Sequence, residues 1–267
     1  MAESNTSANP PASPRRPVPT RSLGTRLAIL GGAFAVALLV ALRVFGFAPF
    51  SIPSGSMEPT LQVGDYIIVA TYPYGWSRYT PLIGLFMPQQ GRIFYRPPTR
   101  GDVVVFRPPG NPQETFIKRV IGLPGDKVQL KGGVIYINDV PVPQTRVSDY
   151  AEVESGIPPT VRWRYVETLP EHRPYEVLLT AGGVKASGRA CDDPTKYSDD
   201  LENTCPFLVP PDRFFMLGDN RDYSADSRLR AGIVGMVPAE NLIGRAELIL
   251  FSWDSGPRFD RIGKSVR

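Results

Sequence analysis

The chain has 267 residues, of which 42% are hydrophobic, so we expect a packed core and exclude an intrinsically disordered protein. Proline (29 residues) and glycine (25 residues) make up about a fifth of the chain, which favours strands and turns over long helices. Four arginines and one glutamate give the first 26 residues most of the formal charge of +4. The remainder is nearly neutral, which argues against nucleic acid as a partner.

The N-terminal part of the chain divides into a polar tail and an apolar segment. Residues 1–26 are rich in Ser, Pro and Thr without apolar periodicity, and they predict a disordered tail. The segment 27–47 is apolar or small apart from Arg43, and its length is roughly the 20 residues that span a bilayer. We therefore predict one transmembrane helix over residues 27–47, with Arg43 extending to the interface.

The apolar segment has one alternative interpretation, a cleavable signal peptide, because it contains Ala-x-Ala triplets such as Ala35-Val36-Ala37. The apolar run continues beyond those triplets, which favours a retained anchor. Basic residues precede the segment, and apart from Arg43 none follows until Arg78. The positive-inside rule then predicts a cytoplasmic tail and an extracytoplasmic domain over residues 48–267.

The rest of the chain alternates short β-branched or aromatic runs with turns, which predicts a mostly β domain. Asn138-Asp139 separates two such runs and predicts a tight hairpin. No internal repeat or second linker is visible in the sequence, so we expect one β domain carrying inserted loops. The predicted strands cover residues 66–70, 102–106, 115–121, 134–137, 140–142, 160–166, 175–180, 214–217 and 242–253.

The stretch Pro53–Leu61 presents Ser54 and Ser56 on either side of a glycine and between two prolines. Proline fixes its own φ and restricts the residue before it, so this backbone is held in a defined, non-helical shape. The stretch is a candidate nucleophile loop, although Ser-Gly-Pro clusters also form ordinary loops.

A second candidate lies in the predicted strand 115–121, where Lys118 and Arg119 alternate with apolar residues. Alternation places the two cations on opposite faces, and we expect at least one of them to be buried. Burial lowers the pKa of a lysine so that it can accept a proton, whereas an arginine keeps its charge. Lys118 is therefore a candidate base, and the alternative is an edge-strand lysine that extends to water.

Other catalytic arrangements lack the residues that they need. A Ser-His-Asp triad requires a histidine, and the only one, His172, lies in a Pro- and Glu-rich segment that predicts an exposed loop. One histidine and two widely separated cysteines make a poor zinc site. A serine nucleophile in this chain would therefore need a lysine as its base.

The segment Gly218–Arg228 alternates acidic and basic residues, which alone would indicate a salt-bridged turn. Together with three earlier segments, however, it resembles the sequence boxes of bacterial type I signal peptidases (leader peptidases). The boxes occur in the same order as Pro53–Leu61, Arg100–Phe106, Ile117–Val128 and Gly218–Arg228.

The resemblance implies a Ser/Lys dyad with Ser56 as the nucleophile and Lys118 as the general base. It further implies that the Ser54 hydroxyl and the Ser56 N–H bind the oxyanion, and that Ser224 orients the Lys118 amine. Four charged residues would form structural ion pairs around the site, namely Arg119, Asp219, Asp226 and Arg228.

The same resemblance implies a β catalytic core with an extended β-ribbon insertion, here residues 131–205, and no cofactor or metal. The substrate would be the signal peptide of a preprotein, bound as an added strand, with small residues at positions −1 and −3 before the cleaved bond. Membrane lipid and the protein-export machinery would be neighbours at the bacterial inner membrane. The family positions that line the substrate pockets are Phe50, Ile52, Met57, Leu61, Val105 and Ile117.

Cys191 and Cys205 would lie outside the cytoplasm, where oxidation is favoured, so we predict a disulfide between them. Two other functions stay open at this stage. One is a specialised relative that processes a single partner in pilus assembly or conjugation, and the other is a non-catalytic membrane-anchored assembly module.

Overall fold

The computed structural model describes residues 23–152, 160–171, 173–180, 200–229 and 233–266. One helix, α1, spans Leu23–Phe45, and the other regular elements are strands and short 3-10 turns. The strands are β1 (Phe47–Ser51), β2 (Asp65–Ala70), β3 (Val103–Phe106), β4 (Phe116–Gly122), β5 (Lys127–Lys131), β6 (Val134–Ile137), β7 (Val140–Pro141), β8 (Gln144–Glu152), β9 (Thr160–Glu167), β10 (Tyr175–Thr180), β11 (Phe207–Leu208), β12 (Arg213–Leu217), β13 (Val237–Pro238) and β14 (Leu242–Ser252).

Helix α1 is long and apolar enough to cross a membrane, and the side chains of residues 23–43 are exposed. It begins at Leu23 and ends at Phe45, whereas the sequence predicts a helix over residues 27–47. The last helical hydrogen bond runs from the Gly46 N–H to the Leu42 carbonyl at 2.9 Å, and the helix ends there because Phe47 already belongs to β1. Residues 1–22 lie outside the described residues, so the disordered tail stays a prediction.

The largest sheet has seven strands in the order β1-β2-β14-β3-β4-β12-β13, with antiparallel neighbours. Every residue of β3 is buried. Val103 and Val105 belong to one apolar cluster, whereas Val104 and Phe106 belong to another. Burial on both faces explains why β3 is a continuous apolar run rather than an alternating one.

Two smaller sheets complete the described fold, β11-β5-β6-β7 and β10-β9-β8. We call the second one, which lies within the predicted insertion, the inserted sheet. The β6–β7 turn has positive φ at Asn138 (52°) and Asp139 (67°), as expected for a tight hairpin. A third apolar cluster joins β5, β6, β10 and β12. The 131–205 boundaries of the insertion stay a prediction.

All nine predicted strands are present, and their ends agree with the structure to within one residue. Five strands are not predicted. β1 continues the apolar run of α1, and β8 has many polar residues without clear alternation, so neither has a strand pattern of its own. β5 follows a turn directly, and β11 and β13 have two residues each.

The C-terminal segment is attached to the start of β2 by a buried ion pair. Asp65 is fully buried and accepts hydrogen bonds from Arg261 Nε (2.9 Å) and Nη2 (2.5 Å). The Ser252 hydroxyl donates to the same carboxylate at 2.7 Å. Arg261 also donates to the Thr60 carbonyl at 3.1 Å, which connects this segment to the loop that follows Ser56.

Replacing Asp65 with Asn should destabilise the protein by about 3 kcal/mol, because it leaves the buried Arg261 guanidinium without its counter-charge. The measurement is urea unfolding of the full chain in detergent, followed by tryptophan fluorescence. Asp139→Asn is the matched control, because it removes a carboxylate from an exposed pair with Lys127 and should change stability by less than about 0.5 kcal/mol. Equal effects of the two substitutions would contradict this account of the C-terminal segment.

Candidate active site

Ser56 lies in a 3-10 turn (Gly55–Met57) within the connection from β1 to β2. The Glu58 N–H closes the turn on the Gly55 carbonyl at 3.0 Å, and the Leu61 N–H donates to the Met57 carbonyl at 2.9 Å. Met57 and Leu61 are completely buried, so apolar packing anchors the turn in the core. Ser56 itself is 8% exposed.

Lys118, on β4, has its Nζ 2.6 Å from Ser56 Oγ and 2.9 Å from the Ile117 carbonyl oxygen. Both Lys118 (3% exposed) and its neighbour Arg119 (1%) are buried, which confirms the expectation that at least one of them is. Burial lowers the pKa of Lys118 from 10.5 to about 8. The nearby charges of Asp226 and Asp219 oppose this shift, whereas Arg228 adds to it.

Two buried ion pairs lie close to Ser56 and Lys118. Arg119 donates to both oxygens of Asp219, from Nε at 2.8 Å and from Nη2 at 2.6 Å. Arg228 makes the corresponding pair with Asp226, at 2.8 and 2.9 Å. Burial raises the pKa of Asp226, but the adjacent Arg228 charge and its hydrogen bonds outweigh that effect and lower it overall. These four residues therefore form two matched pairs, as the resemblance implies.

The segment Gly218–Arg221 contacts the turn that carries Ser56. Asn220 donates its backbone N–H to the Ser56 carbonyl (3.2 Å) and its side-chain amide to the Gly55 carbonyl (2.9 Å). A Cβ at Gly218 would lie 2.2 Å from Ser224 Oγ and 2.5 Å from the Ser56 carbonyl oxygen. Only glycine therefore fits at position 218 without displacing the site.

The other two predicted serines make no contact that tests their roles. The Ser224 hydroxyl is buried beside the Asp226 carboxylate, and its hydrogen bond helps to lower the pKa of Asp226. The hydrogen bonds of Lys118 Nζ go to Ser56 and Ile117 instead, so the orienting role of Ser224 stays a prediction. Ser54 is exposed at the edge of the adjacent cavity, and its oxyanion role also stays a prediction.

A cavity of about 620 Å³ is lined by both Ser56 and Lys118. Four of the six predicted pocket residues contribute to its wall, namely Phe50, Ile52, Val105 and Ile117. Met57 and Leu61 are completely buried in the same apolar cluster as Ile52 and Val105, and their role in substrate binding stays a prediction.

Three contributors to the site environment are not predicted from the sequence. Asn220 and Arg221 lie inside the Gly218–Arg228 box, and this place in the sequence could have indicated a role for them. Glu167, on the inserted sheet, forms a buried ion pair with Arg221 across 54 residues of sequence, and no local pattern identifies it. Cys205 is buried, whereas Cys191 and His172 lie outside the described residues, so the disulfide and the exposed histidine stay predictions.

Comparison with known proteins identifies the family of this chain. The family model described as "Signal peptidase, peptidase S26" matches residues 26–253. Signal peptidase I of Rickettsia akari (strain Hartford) is 42% identical over 229 residues, which cover 84% of this chain and 80% of the relative. Signal peptidase I of Rickettsia prowazekii (strain Madrid E) is 43% identical over 234 residues, covering 84% and 81%.

A crystal structure of a signal peptidase I from Enterococcus faecalis V583 aligns with 56% of this chain and 97% of its own, at 24% identity and a TM-score of 0.30. That similarity is too low to support an argument about the fold, whereas the family match and the sequence relatives extend over most of the chain. The chain belongs to the signal peptidase I family of S26 peptidases.

Proposed function

We propose that Ser56 and Lys118 form the catalytic dyad of this membrane-anchored signal peptidase, which cleaves signal peptides from preproteins. The observation that carries the proposal is the 2.6 Å approach of Lys118 Nζ to Ser56 Oγ in a buried setting. A serine hydroxyl is a weak nucleophile at its ordinary pKa and needs an adjacent base. Lys118 is that base, because burial lowers its pKa towards neutrality.

In the acylation step the neutral Lys118 amine takes the hydroxyl proton while Ser56 Oγ attacks the carbonyl carbon of the scissile bond. The negative charge that develops on the carbonyl oxygen is stabilised by the Ser54 hydroxyl and the Ser56 N–H. Lys118, now an ammonium, gives its proton to the leaving amine as the C–N bond breaks. The mature protein departs, and the signal peptide remains as an ester on Ser56.

In the deacylation step a water molecule loses a proton to Lys118 and attacks the ester carbonyl. The tetrahedral intermediate then expels Ser56 Oγ, which recovers its proton from Lys118. The two arginines next to the dyad keep their charge throughout, because each is paired with a carboxylate and arginine does not titrate in this range. Lys118 is thus the one group that both accepts and returns protons.

The substrate occupies the cavity next to the dyad as an extended strand. The residues at its wall come from the end of β1 (Phe50–Pro53) and the start of β4 (Thr115–Lys118), two backbones between which a peptide can extend. The wall formed by Phe50, Ile52, Val105 and Ile117 is apolar and suits the small side chains at positions −1 and −3.

The arrangement in the membrane follows from the charge asymmetry around α1. The N-terminal tail with its four arginines is cytoplasmic, and the catalytic domain is on the periplasmic or extracytoplasmic side of the bacterial inner membrane. Membrane lipid surrounds α1, and the preproteins arrive from the export machinery. General preprotein processing, rather than processing of a single partner, is the role that the complete sequence boxes favour.

Ser56→Ala and Lys118→Met should each lower cleavage of a preprotein with an Ala-x-Ala site by about 10³-fold or more, because the dyad acts as a unit. The measurement is kcat/KM of the full chain in detergent, followed by release of the mature protein.

The matched controls are Ser148→Ala and Lys127→Met, which remove the same side chains from exposed positions outside the site and should retain wild-type activity. Full activity of either dyad variant would refute the proposed mechanism. A wild-type chain that cleaves no preprotein would point instead to a non-catalytic membrane-anchored module.

The activity should rise with pH, because Lys118 must be neutral to accept the Ser56 proton. With a Lys118 pKa of about 8, kcat/KM should fall about tenfold per pH unit below that value and level off above it. The measurement is the pH profile of kcat/KM between about pH 6 and pH 10. A profile that is flat down to about pH 6 would contradict Lys118 as the base.

Gly218→Ala should lower kcat by about 10²-fold, because the added methyl group displaces Ser224 and the Ser56 backbone from their present positions. Gly256→Ala is the control, since a Cβ there meets nothing within 4 Å and its activity should be unchanged. If the Gly218 variant had wild-type kcat, the close packing around the nucleophile would not matter for catalysis.

A further inference from the structure

The inserted sheet contributes one fully buried ion pair to the surroundings of the dyad, between Glu167 and Arg221. Both residues are 1% exposed. Arg221 donates to both Glu167 oxygens, from Nη1 to Oε1 at 2.7 Å and from Nη2 to Oε2. The Tyr175 hydroxyl donates to Oε2 at 2.7 Å, and the Gln144 amide donates to Oε1 at 2.9 Å. The carboxylate thus has two donors on each oxygen and is held in one orientation.

Stability alone does not explain a buried pair of this kind. Taking two charges out of water costs free energy, and apolar side chains of similar volume often stabilise a core equally well. The neighbouring cluster is apolar and includes Leu169, Val177 and Phe215. A role in fixing geometry is the alternative explanation, and it is testable.

Arg221 lies at the end of the segment that holds the nucleophile turn. Its Nε donates to the Gly218 carbonyl at 3.2 Å, and its own carbonyl accepts a hydrogen bond from Arg228. Asn220, the residue directly before it, donates to the carbonyls of Ser56 and Gly55. Glu167 binds Arg221, and Asn220, the preceding residue, binds the turn that carries Ser56. Only these two consecutive residues therefore lie between Glu167 and that turn.

The backbone of the inserted sheet supports the same segment. The Leu178 N–H donates to the Asp219 carbonyl at 2.9 Å, and the Thr180 N–H donates to the Asp222 carboxylate at 2.5 Å. Tyr175 also contacts Arg119, the neighbour of Lys118, because the Arg119 guanidinium lies over its ring at 4.1 Å from the centroid. Strand β10 thus binds the 219–222 segment, and Asn220 of the same segment binds Ser56.

The charges show what the loss of Glu167 would do. Three buried guanidiniums near the dyad are paired with three carboxylates, as Arg119 with Asp219, Arg228 with Asp226 and Arg221 with Glu167. Without the Glu167 charge, Arg221 would be drawn to Asp219, whose charge already acts on it. Asp219 would then be shared between two arginines, and the segment that holds Ser56 would shift.

We propose that Glu167 of the inserted sheet is a positioning residue for the nucleophile, acting through Arg221 and Asn220 on the turn that carries Ser56. Glu167 touches neither the substrate cavity nor the reacting atoms, so it takes no part in proton transfer. The inserted sheet would then help to position Ser56, although it does not contact the substrate cavity through Glu167. The inference rests on the proposed role of Ser56 as the nucleophile.

The test compares Glu167→Gln with the wild type, because glutamine keeps the shape of the side chain and removes its charge. The full chain in detergent is assayed with an Ala-x-Ala preprotein at a temperature at which near-ultraviolet circular dichroism shows both forms folded. We expect kcat to fall by about 10²-fold, since a displacement of about 1 Å at a nucleophile has an effect of that size. KM should stay within about threefold, because the cavity wall is unchanged.

Asp126→Asn is the matched control, because it breaks another largely buried ion pair, with Arg100 at 2.8 Å, that has no contact with Ser56, Lys118 or the 218–228 segment. This variant should lower the melting temperature while kcat of the folded enzyme stays within about twofold of the wild type. A Glu167→Gln enzyme with wild-type kcat would overturn the proposal. So would a loss of kcat that the Asp126→Asn control reproduces.

Tyr175→Phe keeps the test decisive if Glu167→Gln does not fold. It retains the ring beneath Arg119 and removes only the hydroxyl that donates to Glu167, so kcat should fall about fivefold with KM unchanged. An unchanged kcat in this variant would count against the proposal. Ser56→Ala distinguishes failure of the proposed dyad from failure of the proposed role of Glu167. An active Ser56→Ala enzyme would refute the dyad. An inactive Ser56→Ala enzyme together with a fully active Glu167→Gln enzyme would refute only the role of Glu167.

Discussion

The contact between Lys118 and Ser56 is the interaction on which the rest of the site depends. An amine can act as a base near neutral pH only if burial disfavours its charged form, and burial of a lysine costs free energy. The structure meets this demand by surrounding Lys118 with β3 and β4 core residues while pairing the neighbouring arginines with carboxylates. Among the described residues no carboxylate lies within ion-pair distance of Lys118 Nζ, whose hydrogen bonds go to a hydroxyl and a carbonyl. Because no carboxylate pairs with its amine directly, the lowering of the Lys118 pKa by burial is not cancelled.

The groups of the site come from distant parts of the sequence, so the fold has to bring them together accurately. Ser56 and Lys118 are 62 residues apart, and Arg119 and Asp219 are 100 residues apart. The nucleophile turn is held by the core through Met57 and by the 218–221 segment through Asn220. Glu167 supports that segment in turn from the inserted sheet. A displacement in any of these supports would reach Ser56 through a short series of contacts.

Local chemistry allows much of this fold and site to be predicted from the sequence. β-branched runs identify the core strands, Asn138-Asp139 identifies a hairpin, and the lack of a suitable histidine directs attention to Lys118 as the base. Long-range partners leave no such local signal: Glu167 looks like any other strand residue until the fold places it beside Arg221. The complete burial of Met57 and Leu61 depends on how the loop after β1 folds, which a linear motif does not specify. β1 is missed because its apolar residues continue those of α1.

The protonation of Lys118 itself is the most direct measure of this account. The chain has six lysines, so ¹⁵N or ¹³C labelling of lysine side chains gives few NMR signals, and the signal of Lys118 is the one that is missing from the Lys118→Met spectrum. We expect this signal to titrate at about pH 8, well below the value of about 10.4 for lysine in model peptides. A Lys118 signal that titrates together with those of the exposed lysines would contradict the central claim that the fold maintains a neutral amine beside Ser56.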